Sequence, residues 1–478
     1  MKELLSNKAL IYLITRYGTF GLQFINSLFI AHLLGPYYLG FWGFITLIIQ
    51  YLNQFNLGIA QSANTIMAIH KDRDWYLEKV IGNAFSMLLV LSTVSFATLV
   101  FLTLAGLGYK FEFFQFIFPV GIIACLNYLN NLMVVVYRIR NQYSKIAFSQ
   151  SSHIILISIC LFLFKGDSLL WALLSSNLIG FLISFFLFLN RSPIRIKLNF
   201  DFRLFKKIQL KGIYLYLYNT SFYLIILSTR TFVSSFYSIV EFGLFTFAFS
   251  MANVGSLLLN AIAMLVYPKL LNRLAKNSND RIIEILSRFR QIYIPSSHFL
   301  IHFSILVFPI LLYLFPEYSS SRVTFNLIAI TIGLQALSFG YSGLLIAKGL
   351  ENKLAIISLF SLFVNLILSL VLSMILHVNF DYVIIATLFT YTFYNYLLFS
   401  LGRRVLSLPS DVASIFIELF PVKISLPLSV SLVFTLSKVD QFLFIIPFIL
   451  FLLLNFGELK KIISTFKKFR ADPNFMNV

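Results

Sequence analysis

Apolar residues run in blocks of about twenty along almost the whole chain, separated by short polar connections, and no block alternates with the two-residue period of a strand. A hydrocarbon core about 30 Å thick needs roughly 20 apolar residues per helix. Windows of that size fall at residues 9–33, 39–60, 81–106, 113–136, 146–164, 168–190, 212–234, 242–266, 292–315, 322–347, 354–377, 381–401, 415–436 and 440–457. Fourteen spans are therefore expected. The thirteenth is interrupted by Glu418, Pro421 and Lys423, and a twelve-span reading would lay it on the membrane surface. Lipid offers the backbone no hydrogen-bond partner, so runs this rich in Leu, Ile and Phe are read as α-helices.

Composition strengthens this reading. Of 478 residues 59% are hydrophobic and 12% charged, against about 25% charged in soluble domains, which excludes a soluble enzyme on a single anchor. The net charge of +19 would suggest nucleic acid if it were clustered, but it is spread through short connections, so no nucleic-acid partner is inferred. With the N-terminus inside, 31 of the 37 Lys and Arg fall on the cytoplasmic side. Four (Lys110, Lys165, Arg322 and Lys438) lie outside, and Arg16 and Arg230 lie within spans. Basic residues are retained in the cytoplasm, so both termini are expected there; charge does not separate twelve spans from fourteen. The first run has no small-residue cleavage site and reads as a retained signal anchor. Cys125 and Cys160 sit in apolar runs and offer neither a disulfide framework nor a metal site. No external connection could fold as a catalytic domain. The longest connections, 191–211 and 268–291, are cytoplasmic, and the first reads as a hinge near the middle of the chain.

A faint repeat supports two halves. LLGPYYLGFWGF at 33–44 and SIVEFGLFTFAF at 238–249 align Gly40 with Gly243; RIRNQYSKIA at 138–147 and IAKGLENKLA at 346–355 align Lys145 with Lys353 and Ala147 with Ala355. The offsets, 203 and 208 residues, are nearly equal and the order is kept. The expectation is an all-α integral membrane bundle of two pseudo-twofold six-helix halves, 1–200 and 201–405, around a central cavity, with two further spans and a basic tail in 406–478.

Polar residues within spans are the default functional candidates, because burying them in lipid is costly. Arg16, Thr19, Gln23 and Asn26 share an arc of roughly 80° on the first span. On the seventh, Tyr216, Asn219, Tyr223, Arg230 and Ser234 share about 60°. The second span adds Thr46, Gln50, Asn53 and Gln54, and the eighth adds Asn253 and Asn260. Guanidinium groups suit a phosphate, and amides and tyrosines suit sugar hydroxyls. Arg16 and Arg230 are thus candidate diphosphate ligands, and Gln23, Asn26, Gln50, Asn53, Asn219, Tyr223, Asn253 and Asn260 candidate cavity residues. Interhelical hydrogen bonding is the competing role for each amide, and snorkelling to the interface is the competing role for each arginine. His298 and His302 are i, i+4 neighbours without an acidic or Cys partner, so no metal or other cofactor is expected; His153 reads as packing, and Pro295 and Pro309 as helix irregularities. All 18 Asp and Glu fall in connections or near span ends, Glu418 being borderline. An exporter of cations driven by a buried carboxylate would need one inside a span.

The lead into Arg16, the LLGPYYLGFWGF, RIRNQYSKIA and AKGLENKLA segments and the STRTFVSSFYSIVEFGLF stretch around Arg230 resemble the O-antigen flippases called Wzx, the polysaccharide branch of the multidrug, oligosaccharidyl-lipid and polysaccharide exporter superfamily. The resemblance covers most of the chain. Similar proteins often carry an acidic residue before the basic one in the seventh span, where this chain has Thr229. The resemblance implies a flippase of the bacterial cytoplasmic membrane, not an enzyme, that moves undecaprenyl-diphosphate-linked oligosaccharide repeat units to the outer leaflet by alternating access. It also implies that Arg16 and Arg230 hold the diphosphate, that the last two spans guide the polyprenyl tail, and that membrane lipids, a polysaccharide polymerase and a chain-length regulator are partners. A multidrug cation exporter of the same fold and a membrane polymerase are the alternatives.

Overall fold

The computed structural model describes residues 8–471 apart from 71, 107 and 141; the side chains of 8–17, 68, 69, 143, 207, 211, 255–269, 463 and 465–471 also lie outside the description. The described residues form helices and turns, with no strand among them. By contacts the chain divides into two units, Met1–Thr220 with Ser238–Gly243, and Ser221–Tyr237 with Leu244–Val478.

Unit 1 opens with α1 (Lys8–Leu52), which carries the first two apolar runs. Its 45 helical residues would measure about 68 Å if straight, more than twice the hydrocarbon thickness of about 30 Å. The helix is in fact broken at Gly35 (φ 65°, ψ 173°), immediately before Pro36. Glycine takes positive φ without steric cost and proline has no amide to donate. The first two runs are therefore separate helices joined without a loop. α2 (Ile59–Ile69), α3 (Asp74–Leu104), α4 (Ile117–Ile139), α5 (Tyr143–Leu163) and α6 (Gly166–Asn190) complete the first six runs. The seventh and eighth fall on α7 (Phe202–Phe236) and α8 (Ile239–Lys276).

Unit 2 continues through α9 (Asn279–Leu314), α10 (Arg322–Ala336), α11 (Tyr341–Ala347), α12 (Glu351–Leu370) and α13 (Ile385–Val405). It ends with α14 (Val412–Leu419), α15 (Val422–Leu436), α16 (Ile445–Leu454) and α17 (Phe456–Ala471). Among the described residues nine helices are long and apolar enough to cross a membrane, or eleven if each of two bent pairs is one span. The division of α1 at Gly35, together with α7 and α8, accounts for the other runs, so all fourteen fall on helices. Tyr214, Tyr216, Tyr218 and Tyr223 make α7 less apolar than its neighbours. The interruption expected at Glu418–Lys423 is a 74° bend between α14 and α15.

Residues 191–211 are fastened to unit 1. Ile194, Leu204 and Ile208 share one buried cluster with Met67, Ile81 and Leu132. Asn83 Nδ2 donates to the Asp201 carbonyl at 3.0 Å, and Lys79 Nζ lies 3.0 Å from the Asp201 carboxylate. Gly82 lies so close to the Lys197 carbonyl that a Cβ there would overlap it. Asp201 also starts α7, accepting from the amides of Arg203 (2.9 Å) and Leu204 (3.2 Å), an N-cap that satisfies otherwise orphaned donors. Lys79 and these amides hold its carboxyl below the usual carboxylate range.

Gly40 and Gly243, aligned by the internal repeat, meet in unit 1. A Cβ on Gly40 would overlap the Ile239 carbonyl, and one on Gly243 the Pro36 carbonyl. Glycine permits this approach of backbone to backbone. The start of α8 is fixed by a capping box in which the Ser238 amide donates to Glu241 Oε2 (2.8 Å) and the Glu241 amide to Ser238 Oγ (3.2 Å).

Candidate functional site

The stripe on the first half of α1 faces helices of its own unit. Thr19 Oγ1 lies 3.0 Å from Ser151 Oγ on α5. About two turns further on, Asn26 donates to the Ile154 carbonyl (3.1 Å) and accepts from Ser158 Oγ (3.0 Å). Asn26 is buried and so joins α1 to α5. Gln23 is exposed and lines a cavity of about 230 Å³ between α1, α4, α5 and α6. Besides Thr19 and Gln23, Asn127, Asn130, Asn131, Ser149, Gln150, His153 and Ser184 contribute polar groups, and Phe20, Val134, Ile154, Phe181 and Phe188 contribute apolar walls. Sequence reasoning passed over the amides of α4, although three of them within residues 127–131 are visible as a motif, NYLNN.

The other candidates in unit 1 are separate from this cavity. Asn53 lies in the single turn after α1, where its side-chain oxygen accepts from Asn127 Nδ2 (3.1 Å) and its carbonyl from Asn56 Nδ2 (2.6 Å). Asn127 therefore links the second run to the cavity wall. Gln50 is half-buried and Asn219 exposed. Tyr216 donates to the Gln54 carbonyl, so the first turns of α7 are tied to unit 1. The side chains of Arg16 and Asn260 lie outside the described residues.

In unit 2, Arg230 is 2% exposed, and its guanidinium lies 4.7 Å over the Phe249 ring of α8. The neighbouring Thr229 shares a hydrogen bond with Thr387 of α13. Tyr223 and Asn253 are half-buried. Both histidines of α9 are buried. His302 Nδ1 is 3.3 Å from Ser431 Oγ and its ring rests on Phe451, which makes it a contact to α15 and α16. Among the described residues no group of three or more metal-ligating side chains comes together.

Unit 2 also contains a charge cluster that the sequence did not indicate. Arg290 of α9 is buried, donates to the Leu337 carbonyl (3.2 Å), and lies over Tyr341 (5.3 Å) and Phe399 (4.5 Å). The Tyr341 hydroxyl donates to Glu418 Oε1 (2.7 Å), and the other carboxylate oxygen of Glu418 pairs with Arg403. Arg290 and Glu418 stand 128 positions apart in the chain, a relation no local pattern encodes. Asp381, before α13, is likewise buried and accepts from Thr324 Oγ1.

These long apolar helices define a multi-pass membrane protein. No family model matches the sequence, and no curated protein sequence matches it. Among solved structures, the chain is similar to the lipid II flippase MurJ in an inward closed conformation, with 16% identity and a TM-score of 0.68 over 96% of this chain and 99% of that one. It is also similar to an inward-facing multidrug resistance transporter of the MATE family, 14% identical with a TM-score of 0.61 over 83% of this chain and 98% of that one. The MATE multidrug transporter DinF-BH, in a ligand complex, is 17% identical with a TM-score of 0.58 over 85% of this chain and 97% of that one.

Proposed function

We propose that this chain is a Wzx-type flippase of the bacterial cytoplasmic membrane, not an enzyme, with both termini cytoplasmic. It carries undecaprenyl-diphosphate-linked oligosaccharide repeat units from the inner to the outer leaflet by alternating access, for O-antigen or capsular polysaccharide. The supporting observation is the cavity of unit 1, whose amides and hydroxyls suit a hydroxylated head group and whose described lining holds no Lys, Arg, Asp or Glu. An unaided sugar head group cannot cross hydrocarbon, whereas its polyprenyl tail stays in lipid throughout. The fold likeness to a lipid flippase covers 96% of this chain and the likeness to a multidrug transporter 83%. Arg230, with Arg16, is assigned to the diphosphate, and a polymerase and a chain-length regulator are the expected neighbours in the membrane.

The test is to delete the gene and fractionate lipid-linked oligosaccharides by leaflet. Complete repeat units trapped on the cytoplasmic leaflet, with no surface polymer, are expected. Complete units already in the outer leaflet but unpolymerised would mean that the chain is a polymerase. In the complemented strain, Arg230→Gln is expected to abolish surface polymer at normal protein levels; full export would remove Arg230 from the mechanism.

A further inference from the structure

The connection 191–211 turns one side into unit 1 and the other outward. Ile194, Leu204 and Ile208 belong to the buried cluster, whereas Leu198, Phe200 and Phe202 are 66%, 59% and 65% exposed. The aromatic rings make one patch, with the Phe205 centroid 6.2 Å from that of Phe200 and 5.8 Å from that of Phe202. Apolar area left in water forgoes the free energy that burial would supply, and a contiguous apolar patch of this kind marks a surface that something else covers.

Contacts with α3 and α2 set the depth of the patch. Gly82 lies against the Lys197 carbonyl and Asn83 donates to the Asp201 carbonyl; these are the second and third residues of the apolar run 81–106. Further along, a Cβ on Gly212 would overlap Ser62 Oγ, two residues beyond the run 39–60. The stretch from Lys197 to Gly212 is therefore anchored at both ends beside the edges of apolar runs, at the level where hydrocarbon gives way to head groups.

Charge identifies the occupant. Arg195, Lys197, Arg203 and Lys206 flank the aromatic patch and are exposed. Asp201 is the one carboxylate among residues 191–211, and it is taken by Lys79 and by the amides of Arg203 and Leu204. Basic segments are drawn to anionic lipid over a Debye length of about 8 Å, and aromatic side chains settle at the head-group level. We propose that the outward side of residues 195–206 is a docking surface for anionic phospholipid of the cytoplasmic leaflet, with Phe200 and Phe202 set among the head groups and the four basic side chains on the phosphates. The proposal is independent of what the protein carries. It fastens the connection twice, to the core of unit 1 on one side and to lipid on the other.

The test must read this surface alone, because other basic connections also attract anionic lipid. Full-length Cys125→Ser/Cys160→Ser protein carrying Asn199→Cys, an exposed position, is labelled with bimane. It is placed in nanodiscs of equal parts phosphatidylcholine and phosphatidylglycerol, with a nitroxide near the top of an acyl chain of one lipid or the other at the same mole fraction. Nitroxide on phosphatidylglycerol is expected to quench about fivefold more than nitroxide on phosphatidylcholine. Salt at 1 M, which shortens the Debye length to about 3 Å, should remove that preference in this protein. Combining Arg195→Gln, Lys197→Gln, Arg203→Gln and Lys206→Gln should remove it at low salt. Phe200→Ser with Phe202→Ser should lower quenching by both lipids about threefold or more. If the fourfold charge variant is not monodisperse, the salt titration decides. Equal quenching by the two lipids at low salt means lipid contact without charge selection and overturns the proposal, as does a preference that survives both salt and the charge variant. Quenching by neither lipid means that the patch faces water, as a surface for an acidic protein would, and overturns it as well.

Discussion

Single residues in this protein act largely by where they place a hydrogen-bonding group. Asp201 is the simplest case: it caps α7, pairs with Lys79 and lends its carbonyl to Asn83. Its carboxyl is held below the usual range by Lys79 and the α7 amides. Because the folded value is the lower one, the stability it contributes is complete above its ordinary value, near pH ~4, and is lost as pH falls through the lowered one. In detergent, Asp201→Asn should flatten the acid side of the stability profile below about pH 4 and leave thermal stability at neutral pH reduced. An acid limb identical to that of the unmodified protein would show that the carboxylate has no such role. Which polar residues matter is partly legible in the sequence. The helical period puts Thr19, Gln23 and Asn26 on one stripe, and the structure turns all three toward α4–α6. The period does not say that Asn26 joins helices while Gln23, about one turn away, reaches a cavity, because that depends on what α5 presents to each.

At the scale of elements, close approach and bent junctions distinguish this bundle from a simple array of spans. The contact of Gly40 with Ile239 and of Gly243 with Pro36 leaves no room for a side chain. Gly243→Val is expected to prevent recovery of folded protein by size exclusion. Gly21→Ala, also in α1 but with nothing within 4 Å of its Cβ position, should be tolerated or stabilise by about 0.5–1 kcal/mol. Equal behaviour of the two variants would contradict the packing described. The bend at Phe420–Pro421 is held from the other side by Glu418, which binds Tyr341 and Arg403. Glu418→Ala strands both partners and should cost about 1–3 kcal/mol, read as a lower thermal midpoint, with Glu418→Gln losing less because it can still accept from Tyr341. The sequence locates this break through Pro421 but cannot supply its tether: Arg290, Tyr341 and Arg403 lie on three other helices, and each alone reads as an ordinary interfacial residue. Gly35 and Pro36 sit inside a motif of the repeat, yet the motif does not disclose the sharp turn they make, because the positive φ of Gly35 is set by how the two helices it joins pack.

For the molecule as a whole, the hydrophobic pattern carries most of the architecture. All fourteen apolar runs fall on helices because a lipid-facing backbone has only one local solution, and that solution does not depend on neighbours. What the pattern does not carry is how the runs group. Residues 191–211, long, basic and central, look like slack between two halves. Yet Ile194 and Ile208 are in the core of unit 1, and the backbone at Lys197 lies against Gly82. A connection of this kind behaves as a splint. Inserting a flexible epitope between Lys197 and Leu198 should therefore unseat α3 and, on the function proposed above, abolish surface polymer, whereas the same epitope at Asn277–Ser278, the bend between α8 and α9, should be accepted. Comparable activity of the two insertions, measured at matched protein levels, would show the splint to be dispensable. The practical corollary is that a long hydrophilic connection near the middle of a membrane-protein sequence, a place a molecular biologist would choose for a tag or a split, is here packed into the fold and has little freedom to give.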